Sequence, residues 1–370
     1  MTIELATATI KVLNEARIKF QHDPFEKAED LFSFANEKEL LKQLYYIYKG
    51  LAPANTKLKQ DKYQWSNLKS AMIKDAAENP DLLESLSHDF LDYYVNYATK
   101  ALLISKISSP VVSDKIIAIK STILDSSILK NDELLESTVS PLNLLSSQKE
   151  TSGNFVFLFH ESSESFSQET PSDDLLSSAG KQLKNQLRLS KRTLVQGFHK
   201  LITTPSHIIF LVDQATLIRN ETPADKVKSM IALLNSILKQ EILSEKQSFI
   251  YFFPSIEQLY VDTNAGEVWS GYFTTSSGAK FINNAKARGY DLRKDPFQQG
   301  GEMAEHASLS FTKLEIGWSN IAGEPSYFLN GSSEMFNNPT TSLPSVSVSF
   351  GTEHEKQADF LKEVLTYGQW

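Results

Sequence analysis

The 15 glycines of this chain are distributed very unevenly, because Gly50 is the one glycine in residues 1–150 and the others all lie in residues 151–370. Glycine marks sharp turns, bulges and close backbone contacts, whereas helix interiors exclude it. The asymmetry therefore predicts a helical front half and a back half of strands and turns. Since 370 residues exceed the usual size of one domain, we expect an all-helical domain over residues 1–142 and an α/β domain over residues 143–370.

Helix signals recur through the first half of the chain. Asn79 precedes Pro80, which places a capping side chain before a proline at the first helical position. Apolar residues then recur at the steps of three and four that line one helix face, namely Leu82, Leu86, Phe90, Tyr93, Tyr97 and Ala101. We expect further helices near residues 3–19, 25–34, 37–49 and 111–126. Together these segments predict a bundle of helices.

The second half begins with a pattern of alternating strands and helices. Short apolar segments at Asn154–Phe159, His207–Val212 and Ser248–Phe253 are typical of buried strands. Segments with helical spacing separate them, so we expect right-handed crossovers and a parallel βαβαβ sheet. An antiparallel hairpin (Leu259–Asp262 with Glu267–Phe273) and strands near 307–317, 326–329 and 345–350 should follow. The predicted fold class is α + α/β, with a mixed sheet in the second domain.

An acidic and a basic segment follow one another in the second half. Residues 161–178 are rich in serine and acidic side chains, which predicts a solvated loop, with a lid or partner-binding loop as the alternative. Residues 181–201 combine apolar residues at helical spacing with basic ones, which predicts a basic amphipathic helix. Its candidates for binding an anion or an acidic partner are Lys184, Arg188, Lys191 and Arg192. Contact with an anionic membrane surface and a merely solvated helix face are both open.

Composition excludes several classes of function. The formal net charge is −8, and nucleic-acid binding, which needs a concentrated positive surface, is not expected. The chain has no cysteine, which rules out disulfides and thiolate metal sites, and its histidines lack metal-ligand spacing. Apolar runs are too short for a membrane span, and Glu4 interrupts the stretch that a signal peptide would need. We expect a soluble, cytoplasmic protein without a bound metal.

Polar residues follow each of the three predicted parallel strands. His160 comes after the first strand, Asp213 after the second and Glu257 shortly after the third. Ligands of open parallel sheets bind beyond the carboxyl ends of the strands, and imidazole and carboxylate groups meeting there could act as acid and base. We refer to these three residues as the strand-end site. The alternative is that polar residues simply end apolar strands, as they do in most sheets.

A second candidate site comes from a resemblance. The chain carries Arg219, then Gly271–Ser276 with its Tyr-Phe-Thr-Thr-Ser segment, then Glu302 and Glu305. This order resembles mono-ADP-ribosyltransferases, which carry a strand arginine, an aromatic-Ser-Thr-Ser segment and a Glu-x-Glu pair. The two glutamates here are separated by two residues rather than one. The resemblance implies that NAD is the substrate, with Arg219 on its phosphates and ribose, Ser276 near the nicotinamide and Glu305 at the oxocarbenium-like centre.

Since the sequence contains no complete catalytic motif, the leading hypothesis is a protein-interaction module that acts through partner surfaces. Glu353, Glu355 and Glu363 near the end of the chain resemble the glutamate-rich tails of bacterial type IV secretion substrates. That resemblance implies a secreted effector delivered into a host cytosol. The alternative hypothesis is an enzyme that uses the strand-end site on a phosphorylated or nucleotide-like substrate.

Overall fold

The structure, a computed structural model, describes most of the chain. The described residues are 2–16, 19–20, 25–37, 40–51, 65–106, 128–129, 139–149, 154–169, 189–217, 221–239, 241, 243–244, 247–274, 280–285, 289–296, 298–300, 310–332, 334–335, 343–352 and 358–369. The helices are α1 (Ile3–Glu15), α2 (Ala28–Glu37), α3 (Leu41–Leu51), α4 (Trp65–Glu78), α5 (Pro80–Asn96), α6 (Pro223–Leu238), α7 (Ser255–Val261) and α8 (Lys362–Tyr367). The predicted helix at 111–126 lies outside the described residues.

Ten of the described strands form one sheet, in the order β4-β5-β6-β7-β2-β12-β11-β10-β8-β9. These strands are β2 (Lys100–Lys106), β4 (Ser140–Lys149), β5 (Phe155–Glu169), β6 (Leu189–Thr203), β7 (His207–Asp213), β8 (Glu267–Thr274), β9 (Lys280–Asn284), β10 (Ser310–Gly317), β11 (Ser326–Asn330) and β12 (Val346–Ser349). All neighbours in this sheet pair antiparallel. Two short strands, β1 (Lys19–Phe20) and β3 (Ile128–Leu129), pair with each other in parallel.

The predicted fold class is wrong in both of its parts. The expected parallel βαβαβ start does not form, because β5 continues through a hairpin into β6, and β6 pairs antiparallel with β7. The first 142 residues are not all-helical, because β2 lies inside the sheet between β7 and β12. The helical region thus contributes a strand to the sheet that the later residues build. Whether the chain divides into independent units between residues 142 and 143 stays a prediction.

The N-terminal helices cover one face of the sheet, here called the α5 face. Helix α5 begins where the sequence predicts, since Asn79 Oδ1 accepts a hydrogen bond from Leu82 N at 3.3 Å and Pro80 opens the helix. Its last residues are buried on all sides, as in a helix enclosed between a sheet and other helices. Tyr94 packs on Phe198 of β6, with ring centroids 5.6 Å apart. This face carries the larger apolar core, which α7 and α8 extend towards β10 and β11.

On the opposite face, the α6 face, the described helices cover only part of the width of the sheet. Helix α6 packs on β2, β4 and β7, where its apolar residues complete a second core with Phe157 and Phe210. Strands covered on both faces are continuously apolar, which explains the fully buried His207–Asp213 run. Strands β11 and β12 instead alternate buried and partly exposed residues, the pattern of a sheet with one solvated face. Among the described residues, the sheet therefore changes from two-sided to one-sided cover along its width.

Four local predictions in the second half are also wrong. The basic amphipathic helix predicted at 181–201 is a strand from Leu189 onward, and the acidic loop predicted at 161–178 is a strand up to Glu169. Ser248–Phe253 forms only isolated bridges. The predicted hairpin partner Leu259–Asp262 belongs to α7 and its C-terminal end, and β8 instead forms its hairpin with β9.

Candidate functional site

The structure brings together two of the three residues of the predicted strand-end site. His160 lies within β5 rather than at its end, and Asp213 ends β7. Both face α5 and lie on either side of Phe198 of β6, two strands apart, which corresponds to about 10 Å. Glu257 does not join them, because it is exposed on α7, which packs on β10. The antiparallel order removes the shared carboxyl edge on which the prediction depended.

Asp213 is an ion-paired carboxylate inside the sheet. Its Oδ2 lies 2.6 Å from Nζ of Lys100, the residue directly opposite on β2. The same Oδ2 accepts from Phe198 N at 3.3 Å, and Oδ1 accepts from Ala215 N at 3.0 Å. Lys100 also donates to the Phe198 carbonyl at 2.9 Å. These contacts connect β2, β7 and β6, and they engage both carboxylate oxygens with protein donors.

His199 connects Asp213 to a second buried group. The Asp213 backbone N–H donates to His199 Nδ1 at 3.0 Å, so Nδ1 is the unprotonated nitrogen and Nε2 carries the hydrogen. Nε2 then donates to Glu161 Oε1 at 3.2 Å. The His199 side chain is fully buried. Because both ring nitrogens have protein partners, His199 holds a fixed tautomer and has no free ring nitrogen for a ligand.

Glu161 is the carboxylate at the centre of the polar group beneath α6. Lys226 of α6 lies 2.8 Å from Glu161 and 3.1 Å from Glu221. Burial raises the pKa of Glu161, but hydrogen bonds from His199 and Lys226 outweigh it and hold the pKa at about 2. Burial also lowers the pKa of Lys226, but its pairing with the two glutamates leaves that pKa raised. The group is therefore charged and paired at neutral pH, and it fastens α6 to the sheet.

Of the two buried members of the strand-end site, His160 is the one with a polar atom that lacks a hydrogen-bond partner among the described residues. Its side chain packs on Phe198 with ring centroids 5.0 Å apart, and none of the described residues hydrogen-bonds to Nε2. Burial lowers the pKa of His160 to about 4, and the nearby His199 adds to the shift. Asn143, the cross-strand neighbour, and Ser146 also leave side-chain oxygens unpaired within the described residues. A neutral, enclosed imidazole of this kind fits a core position better than acid–base work.

The residues of the transferase resemblance cannot be placed. Arg219, Ser276, Glu302 and Glu305 all lie outside the described residues. Strand β8 ends at Thr274, two residues before Ser276. The resemblance to mono-ADP-ribosyltransferases therefore stays a prediction.

The acidic and basic segments are two strands of one hairpin. Lys191 and Arg192 lie in β6 and pair in register with Ser167 and Phe166 of β5, whereas Lys184 and Arg188 lie outside the described residues. Ser162 is the last β5 residue in register with β4, and Lys200 is the first β6 residue in register with β7. Strands β5 and β6 stay paired with each other beyond both positions, as far as Glu169 and Leu189. The two segments thus contribute adjacent antiparallel strands, Phe155–Glu169 and Leu189–Thr203. Binding of an anion or partner by these basic residues stays a prediction.

The sequence did not point to the part of the α6 face that none of the described helices covers, which we call the open face. It is formed by β8 to β12 and displays Tyr272, Ile282 and Phe328 beside Lys313 and Glu315, as the strand registers require. Ile282 is 58% exposed, and Tyr272 and Phe328 are partly exposed. None of these three belongs to either apolar core. The alternation of Val346-Ser-Val-Ser349 in β12 is the signal that could have revealed a one-sided sheet.

Charges on the open face lie next to aromatic rings. Nζ of Lys313 is 5.1 Å from the centroid of the Tyr272 ring, a cation–π distance. Glu315 lies directly between Phe328 and Ser270 in the strand registers, and Ser270 donates to Asn284 Oδ1 at 2.8 Å. At the border with the covered part, Gln214 donates to Ser347 Oγ at 2.6 Å. The surface is therefore an apolar strip with charges of both signs.

The described residues contain no cluster of three or more histidine, aspartate or glutamate residues arranged to hold a metal ion. Their helices include none with the length and apolar character needed to cross a membrane. No protein-family model, curated protein or solved structure matches this chain.

Proposed function

We propose that this protein is an interaction module that binds an amphipathic helix of a partner protein on the open face of its sheet. The observation that carries the proposal is the display of Tyr272, Ile282 and Phe328 on one face of β8 to β12, outside both apolar cores. Contiguous apolar surface rimmed by polar groups marks interaction sites in soluble proteins. This proposal keeps the partner-binding hypothesis and moves it from the charged segments to the sheet.

A helix is the occupant that the rest of the same face favours. There α6 lies across β2, β4 and β7 and buries Val227, Met230, Ile231 and Leu234, which recur at helical steps. The open face adjoins the part of the sheet that α6 covers, and the hydrogen bond between Gln214 and Ser347 connects the two parts. Lys313 and Glu315 would pair with charges that flank the apolar stripe of the bound helix. The net charge of −8 disfavours a nucleic acid on the same rings.

Photo-crosslinking tests the proposal in a lysate of the source cells. A photoreactive phenylalanine at position 272 should capture one protein, and the crosslinked peptide should have helical apolar periodicity. Phe328→Asp should abolish that capture, because a buried unpaired charge opposes docking. Val261→Asp is the matched control, since Val261 is an apolar residue 71% exposed on α7, off this face, and it should leave capture unchanged.

Several outcomes would contradict the proposal. One is that the same protein is captured with the photoreactive residue at Tyr251, which is 37% exposed outside the open face. Another is that position 272 captures only a second copy of this chain, which would make the open face a dimer interface. Capture that persists in Phe328→Asp would place the partner elsewhere. Secretion as an effector and a cytoplasmic location stay predictions that this experiment does not address.

A further inference from the structure

The two outermost strands of the ten-stranded sheet, β4 and β9, differ in how their outer edges are built. Strand β4 contains Pro141, and its register with β5 shifts twice, between Ser140 and Asn143 and between Leu144 and Ser146. Prolines and bulges of this kind keep other chains from adding to an edge. Strand β9 has no proline, and its residues pair with β8 without a shift of register. It therefore lacks both safeguards, and none of the described strands pairs with its outer edge.

Alternate residues of β9 direct their backbone N–H and C=O groups away from β8. Ala285, the residue after β9, donates its N–H to the carbonyl of Trp269 at 2.7 Å, and these two residues continue the register of the two strands. In an antiparallel ladder, hydrogen-bonded pairs alternate with pairs that exchange no hydrogen bond. The outward groups are thus those of Lys280, Ile282 and Asn284. These three residues present the hydrogen-bonding groups that a further strand would use.

Exposed apolar side chains stand on both faces of β9. Ile282, on the open face, is 58% exposed, and Phe281, on the α5 face, is 41% exposed. The Phe281 ring stacks on Phe273 with centroids 5.6 Å apart, and Phe273 lies 5.8 Å from Phe311 in the same core. The row of aromatic rings thus reaches the edge of the sheet, where its last ring is only partly covered. An edge strand with exposed apolar residues is a template for pairing with another chain.

We propose that β9 pairs antiparallel with β9 of a second copy of this chain, in the register that places Ile282 opposite Ile282. This register also places Lys280 of each copy opposite Asn284 of the other. Every outward-directed residue of β9 then exchanges hydrogen bonds with an outward-directed residue of the second strand. A twofold axis moved to Phe281 or to Asn283 would leave one end of β9 outside the paired segment. The centred register is therefore the one that uses the whole strand.

The side chains of β9 are compatible with this self-pairing. Lys280 is the one charged residue of β9, and it faces the neutral Asn284, so no like charges stand directly opposite each other. Ile282 faces a second β-branched side chain, which is a favourable cross-strand pair. On the α5 face, the two Phe281 residues are diagonal neighbours about 7–8 Å apart, within reach of aromatic side chains. Both faces of the new strand pair would thus bury apolar surface.

The symmetry of the pairing leaves the open face accessible. A twofold axis perpendicular to the sheet at Ile282 keeps the open faces of both copies on the same side. The dimer does not depend on the proposed helix binding, because it uses the edge of the sheet and not its face. Each copy contributes a strand of five residues, whereas a standard interface takes about 20–30 residues a side. We therefore expect a weak dimer, with a Kd of about 10–100 µM.

Sedimentation equilibrium of the full chain tests the dimer over about 5–500 µM, a range that brackets the expected Kd. Ile282→Lys should raise the Kd by about tenfold or more, because it places like charges directly opposite each other. Ile282→Asp should do the same, and an equimolar mixture of the two variants should recover the dimer through opposite charges. Both variants should fold, since this side chain is exposed. Ile3→Lys is the matched control, because Ile3 is 63% exposed on α1, and it should keep the original Kd.

Cysteine crosslinking tests the register, because the chain contains no cysteine of its own. Oxidation of Ile282→Cys should yield a disulfide-linked dimer, since hydrogen-bonded cross-strand residues have Cα atoms about 5.5 Å apart, within disulfide range. Ile3→Cys should stay monomeric under the same conditions. Phe328→Asp, which tests the open face, should leave the dimer unchanged. Failure of the dimer and failure of helix binding are thereby distinguishable.

Four results would overturn the dimer. A chain that stays monomeric up to about 500 µM would leave the edge of β9 for an extended segment of another protein. A dimer that persists in Ile282→Lys would place the contact elsewhere on the molecule. A mixture of Ile282→Lys and Ile282→Asp that stays monomeric would contradict the centred register. So would equal crosslinking of Ile282→Cys and Ile3→Cys.

Discussion

Lys100 Nζ lies 2.6 Å from Asp213 Oδ2 across two adjacent strands, and both side chains are at least nine-tenths buried. Lys100 begins β2, which follows the N-terminal helices, and Asp213 ends β7, which belongs to the second half of the chain. The pair therefore connects the two parts that the glycine distribution separates. It also draws in β6, through the backbone N–H and carbonyl of Phe198.

Removing one partner of this pair should strongly destabilise the fold. In Asp213→Asn the Lys100 ammonium stays buried without its counter-charge, which costs about 3–5 kcal/mol of the free energy of unfolding. The double variant Lys100→Met/Asp213→Leu should recover most of that loss, because no isolated charge remains. Urea unfolding of the single and double variants measures both effects. Lys74→Met, which breaks the exposed Lys74–Glu78 pair, should change stability by at most about 0.5 kcal/mol.

The local part of the fold could be predicted from the sequence, and the pairing of the strands could not. Helix α5 follows from its cap and its apolar spacing, which act within a few residues. Strand β6 was predicted as a helix because its apolar residues fit helical steps, although Phe198, Lys200 and Ile202 also alternate as one face of a strand. Strand direction depends on contacts far apart in the chain. The parallel sheet was predicted only from the order of strands and helices along the chain. The antiparallel pairing of β5 and β6 contradicts it.

The candidate sites show the same division. His160 and Asp213 were singled out because they follow apolar runs, and they do lie on one sheet face. Their partners could not be predicted, because Lys100 and His199 reach them through strand registers that no local pattern encodes. The open face depends on how far α6 extends across the sheet, which is also a property of tertiary packing.

Acidification should destabilise the protein through His160. Burial lowers its folded-state pKa from 6.5 to about 4, so the unfolded chain takes up the proton first as the pH falls. Stability that is present above pH 6.5 is then lost progressively down to about pH 4, and the loss between pH 7 and pH 5 is about 2 kcal/mol. In His160→Leu this part of the pH dependence should disappear.

Urea unfolding at pH 7 and pH 5 checks the His160 prediction. The control is His88→Leu, because His88 is exposed on α5. This variant should keep the original pH dependence. Burial likewise lowers the pKa of His207 to about 4, so His160→Leu should retain a smaller acid sensitivity. An unchanged difference between the two pH values in His160→Leu would show that the imidazole is protonated or solvated in the folded state.

The charge on Glu161 should stabilise the fold at neutral pH. Its pKa falls from 4.5 in the unfolded chain to about 2 in the folded one, so its contribution is complete above pH 4.5 and is lost as the pH falls through 2. The shift corresponds to about 3 kcal/mol. Glu161→Gln should therefore be about 3 kcal/mol less stable than the original chain at pH 7 and only about 1 kcal/mol less stable at pH 3.

Denaturant unfolding of Glu161→Gln at those two pH values tests this expectation. The control is Glu257→Gln, since Glu257 is an exposed carboxylate and should contribute less than about 0.5 kcal/mol at either pH. A loss in Glu161→Gln that is equal at pH 7 and pH 3 would mean that the side chain acts by packing and not by charge. Lys226→Met should reproduce the loss at pH 7, because it removes the partner that fastens α6.

Gly50→Ala should raise the stability of the protein in the absence of any ligand. The added Cβ has open space, and alanine is favoured over glycine within a helix by up to about 1 kcal/mol. Thermal unfolding should show a higher midpoint for Gly50→Ala than for the original chain. Gly323→Ala is the contrasting variant, because its φ of +81° and the Thr352 backbone 2.6 Å from the added Cβ should make it strongly destabilising. A lower midpoint for Gly50→Ala would mean that the end of α3 needs glycine for its own conformation.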